Sequence, residues 1–547
     1  MSFKVNSALL CFVAGSFLSL STYGGVNRID YDIDGDGLIE IYNLDDLNEI
    51  RNNKNGNSLY GQSSGCPQTG CVGFELANDL DFDSNSDGII DSLDDYWNDG
   101  SGWLPIAFNS SRDITLEGNG YTISNLYVNR SGSYSGLLGY VYKATISNLN
   151  IVDAKVITTG STAGILAGYF RQAQLIDSAI SGSISSTSSY VGGALGSAQD
   201  SVVNSVSANV SVSGSTIVGG FVGFANTITL TDVTVAGSVD ASGYKAGGLV
   251  GNVYANGSIN SSQSSVNVTG TTDVGGLVGD AYNNTAIVNS SATGKVIGNG
   301  EFSASVGGLI GRAGYSSISG SYSTGVVASN SWTGGLIGSA INVTVSESYA
   351  LGDVYAKLRL GGLIGYSANS QISFSFSQGD VYVSEENDEP HSSTNGYAGG
   401  FIGVAQNTDI VASYSSGDVL EYGGTVGIDS YAGRFVGDLQ STSSVESCYA
   451  IGQATDEDSY DHGLAGWHTT ATISTTYWLG SAGGATLTQL RCPIAENATN
   501  CSSSTILYEN WGRHAYIHDQ GVTTPYWDFG SSSQLPGLNI KGTVYRP

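Results

Sequence analysis

The strongest constraint on this chain is a short pattern that recurs at a nearly fixed interval: a small residue, glycine, two apolar residues and glycine. It ends at Gly139, Gly168, Gly196, Gly223, Gly251, Gly279, Gly311, Gly338 and Gly365, then in looser form at Gly403, Gly437 and Gly466. Successive final glycines lie 27 to 29 residues apart, with three longer intervals of 32, 38 and 34. A period held this tightly makes each copy one structural unit stacked on its neighbours. Between the motifs, Ala144 to Ile151, Thr227 to Val235 and Val343 to Val345 alternate apolar residues with Ser, Thr or Asn, the period of half-buried strands. No long 3.6-residue pattern interrupts them, which excludes a βαβ sheet. The expected fold is all-β: a parallel β-helix (β-solenoid) of about 12 motif-bearing coils. At ~4.8 Å per coil the shaft is on the order of 60 Å long. Its open ends would be bare sheet edges, so N- and C-terminal caps are expected.

Two further features recur. Early coils place an apolar residue two positions before Asn or Asp: Ile146/Asn148, Leu175/Asp177, Val202/Asn204, Leu230/Asp232 and Ile287/Asn289. Later coils place an aromatic four residues after Ile or Val, at Tyr322, Tyr349, Phe376, Tyr414, Tyr449 and Tyr477. Adjacent coils would stack these rings at the inter-strand spacing. They read as ladders and not as sites.

Composition narrows the class. Glycine is 77 of 547 residues and proline only 7, which excludes collagen and a proline-rich disordered chain. The formal net charge of −29 repels nucleic acid and anionic membrane surfaces. Residues 1–21 read as a secretory signal, with Lys4 in the basic region, Ala8 to Leu20 apolar, and Ser19-Leu20-Ser21 as the cleavage site. No later run has the roughly 20 apolar residues that a membrane helix needs. An oxidising compartment leads to two short local disulfides, Cys66 with Cys71 and Cys492 with Cys501. Cys448, inside a repeat strand, is left as a buried free thiol. The expected organisation is a signal (1–21), an N-terminal cap (22–73), first coils with an inserted acidic loop (74–130), the repeat shaft (131–480) and a C-terminal cap (481–547). Leu44, Leu47 and Ile50 fall on one face of a short helix over 43–52 in the N-terminal cap.

The repeated Gly-Leu-apolar-Gly core resembles that of bacterial secreted and surface proteins built from the GLUG motif. The opening DIDGDGLIEIYNLDDLNEIRNN, the segment GNGYTISNLYVNR and the closing PYWDFGSSSQLPGL look like the same architecture, so the resemblance covers about residues 30 to 547. It implies a pectin-lyase-like parallel β-helix, secreted or at the cell surface, often linked to adhesion. It specifies fold better than activity.

The sharpest chemical motif is DFDSNSDGIIDSLD. With Asp83 as position 1, Asn85 is 3, Asp87 is 5, Gly88 is 6, the Ile89 carbonyl is 7, Asp91 is 9 and Asp94 is 12. Hard oxygen ligands at alternate residues around a turn glycine fit a structural calcium loop, against a plain solvated acidic turn. A second run, Asp30, Asp32, Asp34, Asp36 and Glu40, fits two registers and completes neither. Both resemble dockerin or thrombospondin-type calcium loops. A third acidic set lies in the longer coils: Glu385, Glu386, Asp388 and Glu389; Glu421 and Asp429; Asp456, Glu457, Asp458 and Asp461. Side by side they read either as a solubilising fringe or as a cation-dependent contact surface.

Catalytic patterns are sparse. Lys357 and Arg359 form the only close basic pair within the repeats and are expected to share a strand face, which a lyase would need. A hydrolase needs two placed carboxylates, and the acids gather in loops. His514 and His518, with Asp519, lack the glutamate of a zinc-peptidase motif. His462 and His468 are expected to pack at the end of the last coil. An ice-binding face would need regularly repeated Thr, and here Ser and Thr are irregular. The expected function is a calcium-stabilised adhesion or ligand-binding protein whose partner is an extracellular glycan or cell-surface ligand. The alternative is a β-helix lyase or hydrolase acting on extracellular polysaccharide.

Overall fold

Successive described coils repeat one strand pattern, in short strands in the later coils and in strands of up to 10 residues in the early ones. The computed structural model describes residues 28–110, 112–300, 303–384, 396–422, 431–455, 463–474, 476–479, 490–491, 516–519, 522–525, 527–528 and 537–547. The signal segment, Cys492 and Cys501 lie outside them, as do the acidic loops of the longer coils except for the backbone at Glu421. One coil runs through Asp273–Gly275, Val278–Tyr282, Ala286–Val288, Ser291–Ala292 and Val296–Gly298. The next coil pairs with it in parallel, Val274 with Val306, Val278 with Ile310, Ile287 with Ile318 and Val296 with Val327. Repetition builds long parallel sheets, one of them eleven-stranded with one strand per coil from Tyr134–Ser135 to Tyr431–Gly433. The expected β-solenoid is the observed fold. No described helix is long and apolar enough to cross a membrane, which says nothing of a β-barrel.

The motif makes one corner of each coil, between strands such as Asp273–Gly275 and Val278–Tyr282. Leu277 and Val278 are both fully buried, so both apolar residues of the motif face the core. The flanking glycines are set by close approach: a Cβ on Gly219 would lie 1.9 Å from the Val222 carbonyl oxygen and 2.7 Å from the Gly251 nitrogen. Nothing there but backbone could give way.

Outside this corner, the residue two positions before one motif meets the residue directly after the next coil's motif. Tyr190 meets Phe224 with ring centroids 4.9 Å apart, Trp332 meets Tyr366 at 5.0 Å, and Tyr431 meets Trp467 at 5.3 Å. Lys245 meets Asp280 in the same way, Nζ to Oδ2 2.6 Å. The strand registers that carry these residues from coil to coil place Ile217 opposite Asn252, Asp273 opposite Arg312, and Ser305 opposite Ser339. The result is an outer seam along the shaft.

A second corner explains the Asn and Asp signature. Asn148, Asp177, Asp232 and Asn289 all have φ between 46° and 53°, a left-handed turn that these side chains tolerate better than most. The coil read as Val202/Asn204 is shifted by one: Val203 pairs with Leu175 and Leu230, and Ser205 takes the left-handed position. Later coils keep the turn with Glu347, Phe374, Ala412 and Ser447. The geometry outlasts its sequence signal.

Next to this corner runs a buried hydroxyl ladder that the sequence reading missed. The N–H of Ser290 donates to Ser321 Oγ (3.1 Å), that of Ser321 to Ser348 Oγ (3.2 Å), and that of Ser348 to Ser375 Oγ (3.3 Å). Each hydroxyl donates in turn to a carbonyl two residues back, as Ser348 Oγ does to Ser346 at 2.7 Å. Buried backbone N–H groups that the turn removes from the sheet are satisfied this way. Cys448 stands at this ladder position, buried and unpaired as expected, its Sγ 3.1 Å from the Glu446 carbonyl oxygen. Burial pushes its thiol pKa up. Cys448→Ser is expected to change stability by no more than about 1 kcal/mol in chemical denaturation, because serine fills the position in several neighbouring coils. The native thiol is expected to resist thiol reagents until the shaft unfolds.

The aromatic ladder stacks as expected. Tyr322, Tyr349, Phe376, Tyr414 and Tyr449 follow one another at 4.7 to 5.1 Å, with interplanar angles of 2° to 7°. Tyr477 continues it in backbone register. Residues 527–528 and 537–547 of the C-terminal segment pack against this ladder. Trp527 and Tyr545 pack on its rings, and Leu538 and Ile540 join the same apolar cluster.

At the other end Asn43 caps the helix Leu44–Glu49, accepting from the Asp46 N–H at 2.9 Å, with Leu44, Leu47 and Ile50 buried. The first strand, Ile39–Ile41, already pairs in parallel with Gly73–Leu76. The shaft therefore begins inside the segment assigned to the N-terminal cap.

Candidate metal centre

The two acidic loops fold alike. In 83–94 the Gly88 N–H donates to Asp83 Oδ2 (2.8 Å), the Asp87 N–H to Asn85 Oδ1 (2.9 Å), and the Ile89 N–H to Asp87 Oδ1 (2.9 Å). In the first loop the Gly37 N–H donates to Asp32 Oδ2 (3.0 Å), the Asp36 N–H to Asp34 Oδ1 (3.1 Å), and the Leu38 N–H to Asp36 Oδ1 (2.7 Å). The scheme is the same at each matched position, so Asp32 occupies position 1. Of the two registers open in the sequence, the backbone adopts this one, with Asp34 at 3, Asp36 at 5, the Leu38 carbonyl at 7 and Glu40 at 9. Asp30 falls outside it and accepts from the Asp32 N–H at 3.1 Å.

The loops differ at position 12. Asp94 fills it in the second loop, 8% exposed, accepting from the Asp91 N–H at 2.9 Å. In the first loop position 12 is Asn43, already engaged as the helix cap. A carboxylate from outside the motif lies close to the loop. Glu75, directly opposite Glu40 in the strand pairing, brings a carboxylate oxygen within 4.8 Å of those of Asp34 and Glu40; Asp32, Asp34 and Asp36 also converge. The sequence signal for Glu75 was one glutamate amid large apolar residues, FEL in register with IEI.

Electrostatics favour a cation here. Asp32, Glu40 and Glu75 are buried, and burial raises all three carboxyl pKa values, that of Glu75 to about 7. Asp32 Oδ1 and Glu40 Oε2 are buried with no hydrogen-bond partner. Asn119 Nδ2 reaches Glu75 Oε2 at 2.6 Å. Buried carboxylate oxygens without a partner, in two adjoining acidic clusters that share Asp34, suit a hard divalent ion. The residues that would hold calcium in the first loop are Asp32, Asp34, Asp36, Glu40 and Glu75; in the second, Asp83, Asn85, Asp87, the Ile89 carbonyl, Asp91 and Asp94. The Cys66–Cys71 disulfide expected from sequence lies beside the first loop, with Cys71 Sγ 3.6 Å from Asp32 Oδ2.

Elsewhere the catalytic expectations are rearranged. Lys357 falls in a bend between strands, so it and Arg359 do not alternate along one; Arg359 lies over Trp332 (4.8 Å) and Tyr366 (5.0 Å). His468 is exposed and not packed at an end. His462 and His514 lie outside the described residues, as do the side chains of His518 and Asp519, whose backbone is in the strand Tyr516–Asp519. Contrary to the expectation that acids gather in loops, Asp273 and Asp280 occupy strands on the seam.

Asp273 is 6% exposed, and burial together with Asp280 raises its carboxyl pKa to about 7 against the opposing pull of Lys245 and Arg312. A folded value above the unfolded one makes the folded state hold the proton more tightly. The stability it contributes is complete below about pH 4 and lost as pH rises through about 7. Asp273→Asn is expected to be more stable than the parent above pH 7. In denaturant titrations across pH, it should flatten a slope of up to about 1.4 kcal/mol per pH unit.

The fold defines a β-solenoid, and in comparison with known proteins the GLUG motif family model matches residues 270–297, the span of one of its coils. The chain is similar to halomucin of Haloquadratum walsbyi, 43% identical over 98 residues, which is 17% of this chain and 1% of halomucin. It thus spans a very small part of that relative's length. A crystal structure of a candidate immunoglobulin A1 protease from Bacteroides ovatus aligns over 68% of this chain and 84% of its own, at 15% identity and a TM-score of 0.30. At that score the alignment carries no argument about activity.

Proposed function

We propose that this chain is an extracellular or surface-displayed β-solenoid that binds a ligand along its sides, with calcium in its two N-terminal loops locking the first coils. The observation that supports the calcium most is the shared hydrogen-bond scheme of the loops, with the unpartnered buried oxygens of Asp32 and Glu40 at the first. The shaft, the match to the GLUG motif and the likeness to halomucin support a display role. Calcium at extracellular concentrations would neutralise carboxylates that otherwise repel across the first coils. The ligand expected is an extracellular glycan or another cell-surface molecule.

The test is binding of the purified chain to glycan and cell-surface arrays, with and without calcium, while the same wells are assayed for released reducing or unsaturated sugar. Saturable, calcium-dependent binding without release supports the reading. Sugar release would replace it with a polysaccharide depolymerase, and absence of binding would reject it.

A further inference from the structure

The chain beyond the helix Leu44–Glu49 folds back over the first acidic loop. The Tyr31 N–H donates to the Ser64 carbonyl oxygen at 2.8 Å, and the Val72 N–H to that of Gly37 at 2.9 Å. Residues 64–72 therefore strap the loop at both ends, next to position 1 and at position 6. Between these bonds Gly65 packs so closely that a Cβ on it would lie 3.0 Å from the Asp32 nitrogen. Residues 61–65 and 67–69 are exposed, whereas Cys66 is half-buried and Cys71 fully buried. The Cys66–Cys71 disulfide thus anchors a strap that has little other buried surface. Both sulfurs lie within 4.8 Å of an Asp32 carboxylate oxygen.

Two effects couple this bond to the loop. With the disulfide closed, the strap is already shaped to lie on the loop; with it open, residues 64–72 must be ordered each time calcium binds. The second effect is local. An oxidised Cys71 sulfur carries no proton, but a Cys71 thiol 3.6 Å from Asp32 Oδ2 would donate to it and compete with a cation for that oxygen. Both effects favour calcium in the oxidised state. Linkage makes the coupling reciprocal: the factor that the bond adds to calcium affinity is the factor that calcium adds to the bond's resistance to reduction.

We propose that the Cys66–Cys71 disulfide is a redox switch on the first calcium site, holding residues 64–72 over the loop when oxidised and letting calcium go when a dithiol reduces it. This rests on reading the first loop as a calcium site. The dithiol supplies two electrons and two protons, the S–S bond breaks to two thiols, and the reductant closes to its own disulfide.

The test is equilibration of the full chain in buffers of reduced and oxidised dithiothreitol, with calcium or with chelator. Differential alkylation and peptide mass spectrometry then read Cys66 and Cys71 separately from the other cysteines. Calcium is expected to protect the bond about tenfold, which for a two-electron couple moves its midpoint about 30 mV to more negative potential. Asp32→Asn should abolish the shift, and Asp83→Asn should keep it. In the Asp83→Asn background, calorimetry should show calcium bound about tenfold more weakly when Cys66→Ser and Cys71→Ser are combined. Reduction and reoxidation of the native cysteines give the same comparison should that variant fold poorly. A midpoint that calcium leaves in place, while an ion is still lost with Asp32→Asn, would overturn the switch and spare the calcium site. Absence of an ion at the first loop in both redox states would remove both.

Discussion

Chelating calcium is expected to open the first coils about 100-fold more often while leaving the middle of the shaft unchanged. A ligand held at 100 times its dissociation constant stabilises its site by about 2.7 kcal/mol, and its removal returns that amount to local opening. A solenoid is nearly one-dimensional, so the effect stays close to the ions. Amide hydrogen exchange should accelerate in Ile39–Ile41 and Gly73–Leu76, which join the two faces of the first site, and not in Val278–Tyr282. Asp32→Asn should reproduce most of the change without chelator. Glu75→Gln should weaken it too, although residue 75 lies outside the loop motif. Equal exchange with and without calcium would remove the structural role.

The second large effect concerns the motif corner. Gly219→Ala is expected to destabilise the shaft by about 3 kcal/mol or more, because the added methyl group would sit 1.9 Å from the Val222 carbonyl oxygen with only backbone around it. Gly132→Ala provides the contrast. A Cβ there meets nothing within 4 Å and φ is ordinary, so the substitution is expected to be neutral or to stabilise by up to about 1 kcal/mol. Urea titration of the two variants separates a glycine required by close approach from one that is merely present. Similar stability for both would mean that the corner is looser than its backbone spacing indicates.

These positions also show what the sequence could reveal. The coil, its period and the stacked rings from Tyr322 to Tyr449 were legible because each repeats, and repetition turns a weak local preference into a pattern. Asn148 and Asp177 marked the left-handed corner only where the side chain eases it; Phe374 and Ala412 hold the same turn under constraint from neighbouring coils and leave no local sign. The hydroxyl ladder hid because serine is abundant, and only the coil register shows which serines face inward. Glu75 and the seam residues Asp273 and Asp280 hid for a related reason: their partners are one coil away, and across-coil neighbours depend on exact coil length. The loop at 83–94 was readable because all its expected ligands are contiguous. The first loop was ambiguous because its motif lacks a carboxylate at position 12 and the nearby Glu75 comes from another strand.

The most direct measurement is calcium stoichiometry by elemental analysis of the full chain after equilibration against buffered calcium. The account predicts two ions per chain, falling to one in Asp32→Asn and to one in Asp83→Asn. A parent chain that retains no calcium, or variants that retain as much as the parent, would contradict it.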